Sequence, residues 1–241
     1  GGRGRAPREP RMSAAGNGPG HGHGGSDLMA RTALVALGAF AIMASAICIL
    51  VVVPSTMLHE VQPPPQLAAY TEQQLRGRAS YIANGCVYCH SQQVRDPAFT
   101  TDVDRGWGSR ATVPADYAYD RPHLLGTMRT GPDLINVGQR LPDLDWHLIH
   151  LYDPRAIYAW SIMPAFPYLF EERRPNEVGP GDRVIRIPGP RAPQGVVIVA
   201  KPEAIALADY LVSLKRGYPV SDSSQAGHRM ATLGGGDHGR R

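Results

Sequence analysis

The chain is poor in cysteine. Three in 241 residues cannot build a disulfide framework, which excludes a cystine-stapled mini-protein. It is also poor in aromatics: four Phe and three Trp leave no extended surface for base stacking. Lysine is nearly absent, with Lys201 and Lys215 the only two, and the arginines are scattered apart from Arg3, Arg5, Arg8 and Arg11. From His59 onward 20 basic residues stand against 19 acidic ones. The net charge of +4 is therefore no footprint of a phosphate backbone, which needs clustered positive charge, and no nucleic-acid partner is expected. Glycine and proline, 27 and 22 residues, fall short of the roughly 25–30% of a wholly low-complexity chain. Hydrophobic residues at 43% suffice for one core, and the length suits one domain with extensions.

One stretch lacks charge altogether. Between Arg31 and His59 lie 27 residues without Asp, Glu, Lys, Arg or His, and Ala33 to Val53 reads ALVALGAFAIMASAICILVVV. A bilayer span needs about 20 apolar residues, whereas the apolar core of a cleaved signal peptide runs to about 7–15. A buried helix of a soluble core rarely stays uncharged for so long. Residues 28–58 are expected to form an uncleaved membrane anchor, with Pro54 a natural end and Cys48 an inert packing thiol. Five Arg precede the run and few charges follow it, so the N-terminus is expected on the cytoplasmic side and the rest outside, in a periplasm if the host is Gram-negative. The first 27 residues, rich in Gly, Pro and Arg, read as a disordered tail. The sequence opens on glycine, which makes Met12 a candidate start.

Beyond the anchor, Pro63, Pro64 and Pro65 mark residues 59–70 as a semi-rigid linker. Thr71 with Gln74 makes a capping-box pattern at a helix start; Leu75, Ala79 and Ile82 follow at helical spacing, and Gly85 is a plausible stop. Asp96 to His123 reads as a long wrapped loop. A second helix is expected over Asp143–Tyr152, with Leu144, Leu148 and Leu151 on one stripe, and Asp153-Pro154 ends it and starts another. Residues 171–200 carry two β-branched runs, Val184–Ile187 and Val196–Val199, which predict a hairpin inserted as a surface excursion. The last helix is expected over Pro202–Lys215 with Ile205, Ala208, Leu211 and Val212 on its apolar face, and the tail 218–241 reads as disordered.

Cys86-Val87-Tyr88-Cys89-His90 carries the chemistry. Two thiols three residues apart can form thioethers with the two vinyl groups on one porphyrin edge, and the next residue, His90, can then ligate iron; C-x-x-C-H is a haem c attachment pattern. Zinc would want two more ligands at similar spacing, and no other Cys lies beyond the anchor. A dithiol redox site would want a βαβ pattern, which is not seen. An electron-transfer iron usually takes a sixth ligand, and the candidates are Met128, Met163 and Met230. Pro164 holds the chain extended after Met163, which favours it; Met128 precedes Arg129-Thr130-Gly131-Pro132-Asp133-Leu134, a candidate turn lining the haem through Pro132 and Leu134. Arg129 is a candidate partner for a haem propionate. His147 and His150, at i and i+3, are expected in surface or capping roles. Trp107, Trp146 and Trp160 read as packing residues, one of them against the haem.

The stretch Tyr81 to Arg95, YIANGCVYCHSQQVR, resembles the haem site of the monohaem cytochrome c subunit of C-family, cbb-type haem–copper cytochrome c oxidases. RTGPDLINVG at 129–138, WHLIHLYDPR at 146–155 and IMPAFPYL at 162–169 fit the same family, over roughly residues 30 to 170. The resemblance implies a mainly α fold: one N-terminal transmembrane helix and a class I-like cytochrome c domain over 71–217, to which this chain adds a small inserted β-hairpin. It implies one covalent haem c on Cys86 and Cys89 with His90 and Met163 axial. It also implies partners in the membrane: a catalytic haem–copper oxidase subunit, which the chain supplies with electrons, and other cytochrome c subunits. The N-terminal extension, the 171–200 segment and the tail fall outside that pattern. A nitric oxide reductase cytochrome subunit, a free-standing anchored carrier and a haem sensor are the competing readings.

Overall fold

The computed structural model describes residues 1, 24–59 and 61–220. The chain divides into two compact units, Gly1–Met57 and Leu58–Arg241. The tails read as disordered, 1–27 and 218–241, lie mostly outside the described residues.

The first unit is helical. α1 (Gly24–Ile47) runs into a π-helical turn, Cys48–Val52, and then α2 (Val53–His59). Within it Leu28–Met57 is long and apolar enough to cross a membrane, and none of its most apolar stretch is buried by the rest of the chain. Helix already covers residues 24–27, before the apolar run, since elongation of a formed helix adds one hydrogen bond per residue fixed. It also does not stop at Pro54. Proline lacks the N–H of an i→i−4 bond, and its ring collides with the carbonyl four residues back. The wider π turn just before it, in which the Val53 N–H donates to the Cys48 carbonyl, relieves that collision and lets the helix continue. Thr32 and Ser45 donate their hydroxyls to the carbonyls of Leu28 and Ala41, so neither adds an open polar group to the apolar surface.

The second unit is built on two helices far apart in sequence, α3 (Glu72–Ala83) and α7 (Pro202–Ser213), which pack against each other. The capping box forms: Thr71 accepts from the Gln74 N–H and Gln74 accepts from the Thr71 N–H. The face that α3 buries is Gly77, Arg78 and Tyr81, while Leu75 and Ile82 of the expected stripe stay exposed. Gly77 decides this. A Cβ there would overlap the Ala206 carbonyl and come 2.8 Å from the Tyr210 Cβ, so only glycine lets the two backbones meet. Arg78 turns inward to Asp120 and to the carbonyls of Arg121 and Pro122.

Between them lie α4 (Val137–Arg140), α5 (Leu144–Tyr152) and α6 (Pro154–Ile157). Asp143 caps α5 and Asp153 caps α6, each accepting from the N–H two residues on, as Asp at an N-cap does. Leu148 and Leu151 of the expected stripe are buried. The loop after Arg95 wraps a small second core of Val94, Tyr117 and Ile135 with Trp107 against it. Asp116, buried, accepts both Arg110 guanidinium nitrogens at 2.8 Å. The linker is fastened as well: Leu67 is buried, and the Tyr70 hydroxyl donates to Asp120 and accepts from Arg216. At the other end, Arg110 lies over the ring of Tyr218.

The hairpin of the 171–200 segment is one part of a larger sheet. β1 (Phe170–Arg173), β2 (Arg183–Ile185) and β3 (Val197–Ala200) form an antiparallel sheet in the order β1-β3-β2, with Phe170 opposite Ala200 and Ile185 opposite Ile198. Nor is it a surface excursion. Phe170, Ile185, Ile187 and Ile198 join Tyr81, Leu148, Leu207 and Tyr210 in the main core. β1 was not anticipated because its sequence, FEER, has no β-branched run; it is an edge strand whose charges pair locally, Arg173 with Glu171 and Asp182, as edges tolerate.

Candidate functional site

The C-x-x-C-H segment begins where α3 ends. Gly85 takes a left-handed φ of 70°, and Cys86–Tyr88 forms a single 3₁₀ turn closed by the Cys89 N–H on the Cys86 carbonyl at 3.2 Å, to which the His90 N–H also donates at 3.0 Å. The turn places Cys86 against the main core, half-buried, and leaves Cys89 exposed. Burial pushes the Cys86 thiol up to about 11. Cys89 and His90 line a cavity of about 370 Å³ whose other walls include Pro132, Leu134, Arg140, His147, His150 and Met163.

His90 is held from one side. Its Nδ1 lies 2.7 Å from the Pro132 carbonyl, which can only accept, so Nδ1 carries the proton and Nε2 keeps its lone pair. Gly131 backs the ring: a Cβ there would sit 2.8 Å from Nδ1 and 2.9 Å from Nε2 and overlap Cε1. Burial holds the imidazole below its ordinary value, partly opposed by the Pro132 hydrogen bond and the Asp133 charge. A neutral, tautomer-fixed imidazole against an apolar cavity suits an iron ligand.

The turn that carries Pro132 is itself tied down. Gly131 donates to the Cys89 carbonyl and Leu134 to the Ser91 carbonyl. Asp133, fully buried, accepts from Ser91 Oγ at 2.6 Å, the Gln93 N–H at 2.7 Å and the Ile135 N–H at 2.9 Å. Burial raises the Asp133 carboxyl, and these donors with the Arg129 charge pull it back.

Arg129 does not line the cavity. Its Nε donates to Ser91 Oγ, one terminal nitrogen to Asp102 and the other to the Gln93 carbonyl, and the guanidinium lies 5.1 Å over Trp107. All three nitrogens are thus committed inside the protein. Asp102 responds: burial would raise it, but the Arg129 and Arg95 hydrogen bonds and the Arg129 charge hold it below the usual carboxylate range. The cation at the cavity is Arg140, which the sequence reading passed over. Its Nη2 donates to the Asp133 carbonyl at 2.5 Å, and its Nε is buried without a partner among the described residues.

Of the two histidines of α5, His147 is buried and caps the C-terminal end of α4, while His150 is neither a surface nor a capping group. His147 donates Nε2–H to the Leu141 carbonyl at 2.9 Å. His150 stacks on Trp146 at 4.7 Å, and its Nδ1 is buried without a partner among the described residues. Burial, with His147 and His90 nearby, lowers His150 to about 4. Met163 is half-buried, packs on the main core and lines the cavity; Met128 is 59% exposed and outside the cavity. Met230 lies outside the described residues. Trp160, on the cavity rim, is 80% exposed.

These features fit a haem. The cavity offers one imidazole with a free Nε2, a thioether, apolar walls, an exposed thiol and an unpartnered guanidinium nitrogen. Among the described residues no group of three or more His, Cys, Asp or Glu could hold a metal ion. No curated protein matches the chain. The family model of the mono-haem subunit of cytochrome c oxidase, FixO, matches residues 27–179. The chain belongs to that family.

Proposed function

We propose, taking membership of the FixO family as the premise, that this chain is the membrane-anchored electron-transfer subunit of a cbb-type oxidase. In this reading residues 71–217 are a class I-like cytochrome c domain; the packing of α3 on α7, the first and last helices of the second unit, supports it. Cys86 and Cys89 would hold one haem c through thioethers, and His90 and Met163 would supply its iron ligands. The observation that carries the reading is the seat of His90: Nδ1 on the Pro132 carbonyl, Gly131 behind the ring, and Met163 on a wall of the same cavity.

The haem, when bound, supplies a one-electron iron couple. The chain's residues do the rest. The Pro132 carbonyl fixes the His90 tautomer so that Nε2 can donate to iron. Pro132 and Leu134 border the ring's seat, and the apolar walls keep water from it. Met163, on a wall of the same cavity, would offer its sulfur as the second protein ligand beside His90, and with both held by the chain the subunit would pass electrons and do no oxygen chemistry. Arg140 is the residue for a haem propionate, because its Nε is buried without a partner among the described residues; Arg129 is already engaged. The anchor, 28–58, keeps the N-terminus cytoplasmic and the haem domain periplasmic, next to the catalytic haem–copper subunit and other cytochrome c subunits. Residues 59–70 are the linker.

A pyridine haemochrome spectrum of the full-length protein and its Met163→Ala and Met128→Ala variants tests this. One c-type haem per chain is expected in all three, with the weak Met–iron charge-transfer band lost in Met163→Ala alone. Absence of covalent haem would sink the reading; loss of the band in Met128→Ala would move the sixth ligand there.

A further inference from the structure

The seat of His90 depends on a buried carboxylate one residue beyond the carbonyl it bonds. Pro132 accepts the Nδ1 proton, and Asp133 anchors the turn on both of its oxygens: Ser91 and Gln93 on one, Ile135 on the other. Ser91 and Gln93 belong to the strand of chain leaving His90, so this one side chain clamps the C-x-x-C-H segment to the turn that faces it. Every contact donates to Asp133, the pattern an ionised carboxylate takes, since it can only accept. The compensating charge is Arg129, 3.8 Å away, which itself holds Ser91 Oγ and Asp102. The structure thus puts a buried negative charge on the residue that follows Pro132 and a positive charge 3.8 Å from it, in a setting with little water to screen either.

We propose that Asp133, with Ser91 and Arg129, is a positioning group that sets how strongly the Pro132 carbonyl draws the Nδ1 proton of His90, and thereby the donor strength of His90 toward the haem iron. The proposal rests on the haem reading above. Partners of a ligating imidazole raise its basicity when they pull harder on the distal proton. A more basic ligand favours the ferric state and lowers the reduction potential. Asp133 strengthens the pull. Arg129 and the Ser91 hydroxyl moderate it by sharing the carboxylate's charge. The arrangement also explains why Arg129 lies away from the cavity.

The sign of each effect is the test. The full-length chain, matured with its haem, is purified as wild type, Asp133→Asn, Arg129→Gln and Ser91→Ala. Midpoint potentials are measured by spectroelectrochemistry, and the His90 Nδ1 proton is followed by NMR on histidine-labelled protein. Asp133→Asn is expected to raise the potential and move that proton toward a weaker hydrogen bond. Arg129→Gln and Ser91→Ala are expected to lower the potential and move the proton the other way. General loosening of the turn would shift all three variants in one direction, and a charge acting on iron through space would shift potentials while leaving the proton unmoved; either result overturns the proposal. Ser91→Ala, the smallest change, keeps the sign test decisive if the charge variants do not fold, and no shift in it overturns the proposal as well. Wild-type protein without a c-type haem spectrum would instead overturn the haem reading, a separate outcome.

Discussion

Replacing Gly131 by alanine tests the core of the site with a single methyl group. The added Cβ would overlap His90 Cε1 and stand 2.8 Å from Nδ1, where ordinary contact begins near 3.4 Å, so the ring must retreat by about 1 Å to restore van der Waals separation. The Pro132 carbonyl that holds Nδ1 belongs to the next residue of the same turn, and retreat from Gly131 is retreat from it. A hydrogen bond of 2.7 Å would lengthen past the usual limit of about 3.2 Å. Overpacking of this kind costs about 1–3 kcal/mol, and the lost hydrogen bond adds about 1 kcal/mol. The sum of about 2–4 kcal/mol corresponds to at least a tenfold shift in the folding equilibrium. Urea unfolding of the full-length chain in detergent, followed by tryptophan fluorescence, reads it, because Trp107, Trp146 and Trp160 all lie in the second unit. Gly181→Ala, where a Cβ would meet nothing within 4 Å, is the control and is expected to be neutral. If Gly131→Ala unfolds within about 0.5 kcal/mol of wild type, the range of an ordinary surface change, the account of the His90 seat is wrong.

Ile198→Ala, at a position 1% exposed, is expected to cost about 2–5 kcal/mol as a core truncation; a change under about 0.5 kcal/mol would return the sheet to the status of a surface excursion. His150 is depressed to about 4 in the folded protein, so between its unfolded value of about 6.5 and that pH the unfolded chain binds the extra proton. Stability is therefore expected to fall as the pH drops through this window, and urea midpoints measured against pH should show a shallower slope in His150→Gln; equal slopes refute it. Arg140→Leu is expected to lower the haem's reduction potential by removing a cation from the cavity wall, whereas Arg129→Leu is expected to destabilise the fold by leaving Asp102 and Asp133 buried without their cation. Because loss of either cation lowers the potential, urea unfolding separates these roles, and a larger loss of stability in Arg140→Leu than in Arg129→Leu would reverse the assignment.

What the sequence revealed was local. The Thr71–Gln74 box, the Asp143 and Asp153 caps and the C-x-x-C-H spacing are each written within a few residues, and the structure's helices begin at those caps. What it concealed was tertiary. Arg129 and Arg140 stand eleven residues apart in similar company, and only the folded positions of Ser91, Asp102 and Gln93 decide which of them is occupied. His147 and His150 look like polar residues on an amphipathic helix until the cavity is seen beside them. The exposed face of α3 carries Leu75 and Ile82 because Gly77, invisible as a hydrophobic signal, sets the packing face. Pro54 reads as a helix stop, yet the π turn at Cys48–Val52 absorbs it.

The meeting of Gly77 with Ala206 has a consequence in time. A chain made from its N-terminus has long since exposed Cys86 and Cys89 before α7 exists to cover α3. Until then the core against which Cys86 packs is missing its final wall, and pairing of such distant segments is a late event in folding. A haem bound through Cys86 and Cys89 before that point would meet an incomplete core. The arrival of α7 would close the domain around a cofactor already in place, and variants that slow this closure would widen the interval in which the cysteines can be modified.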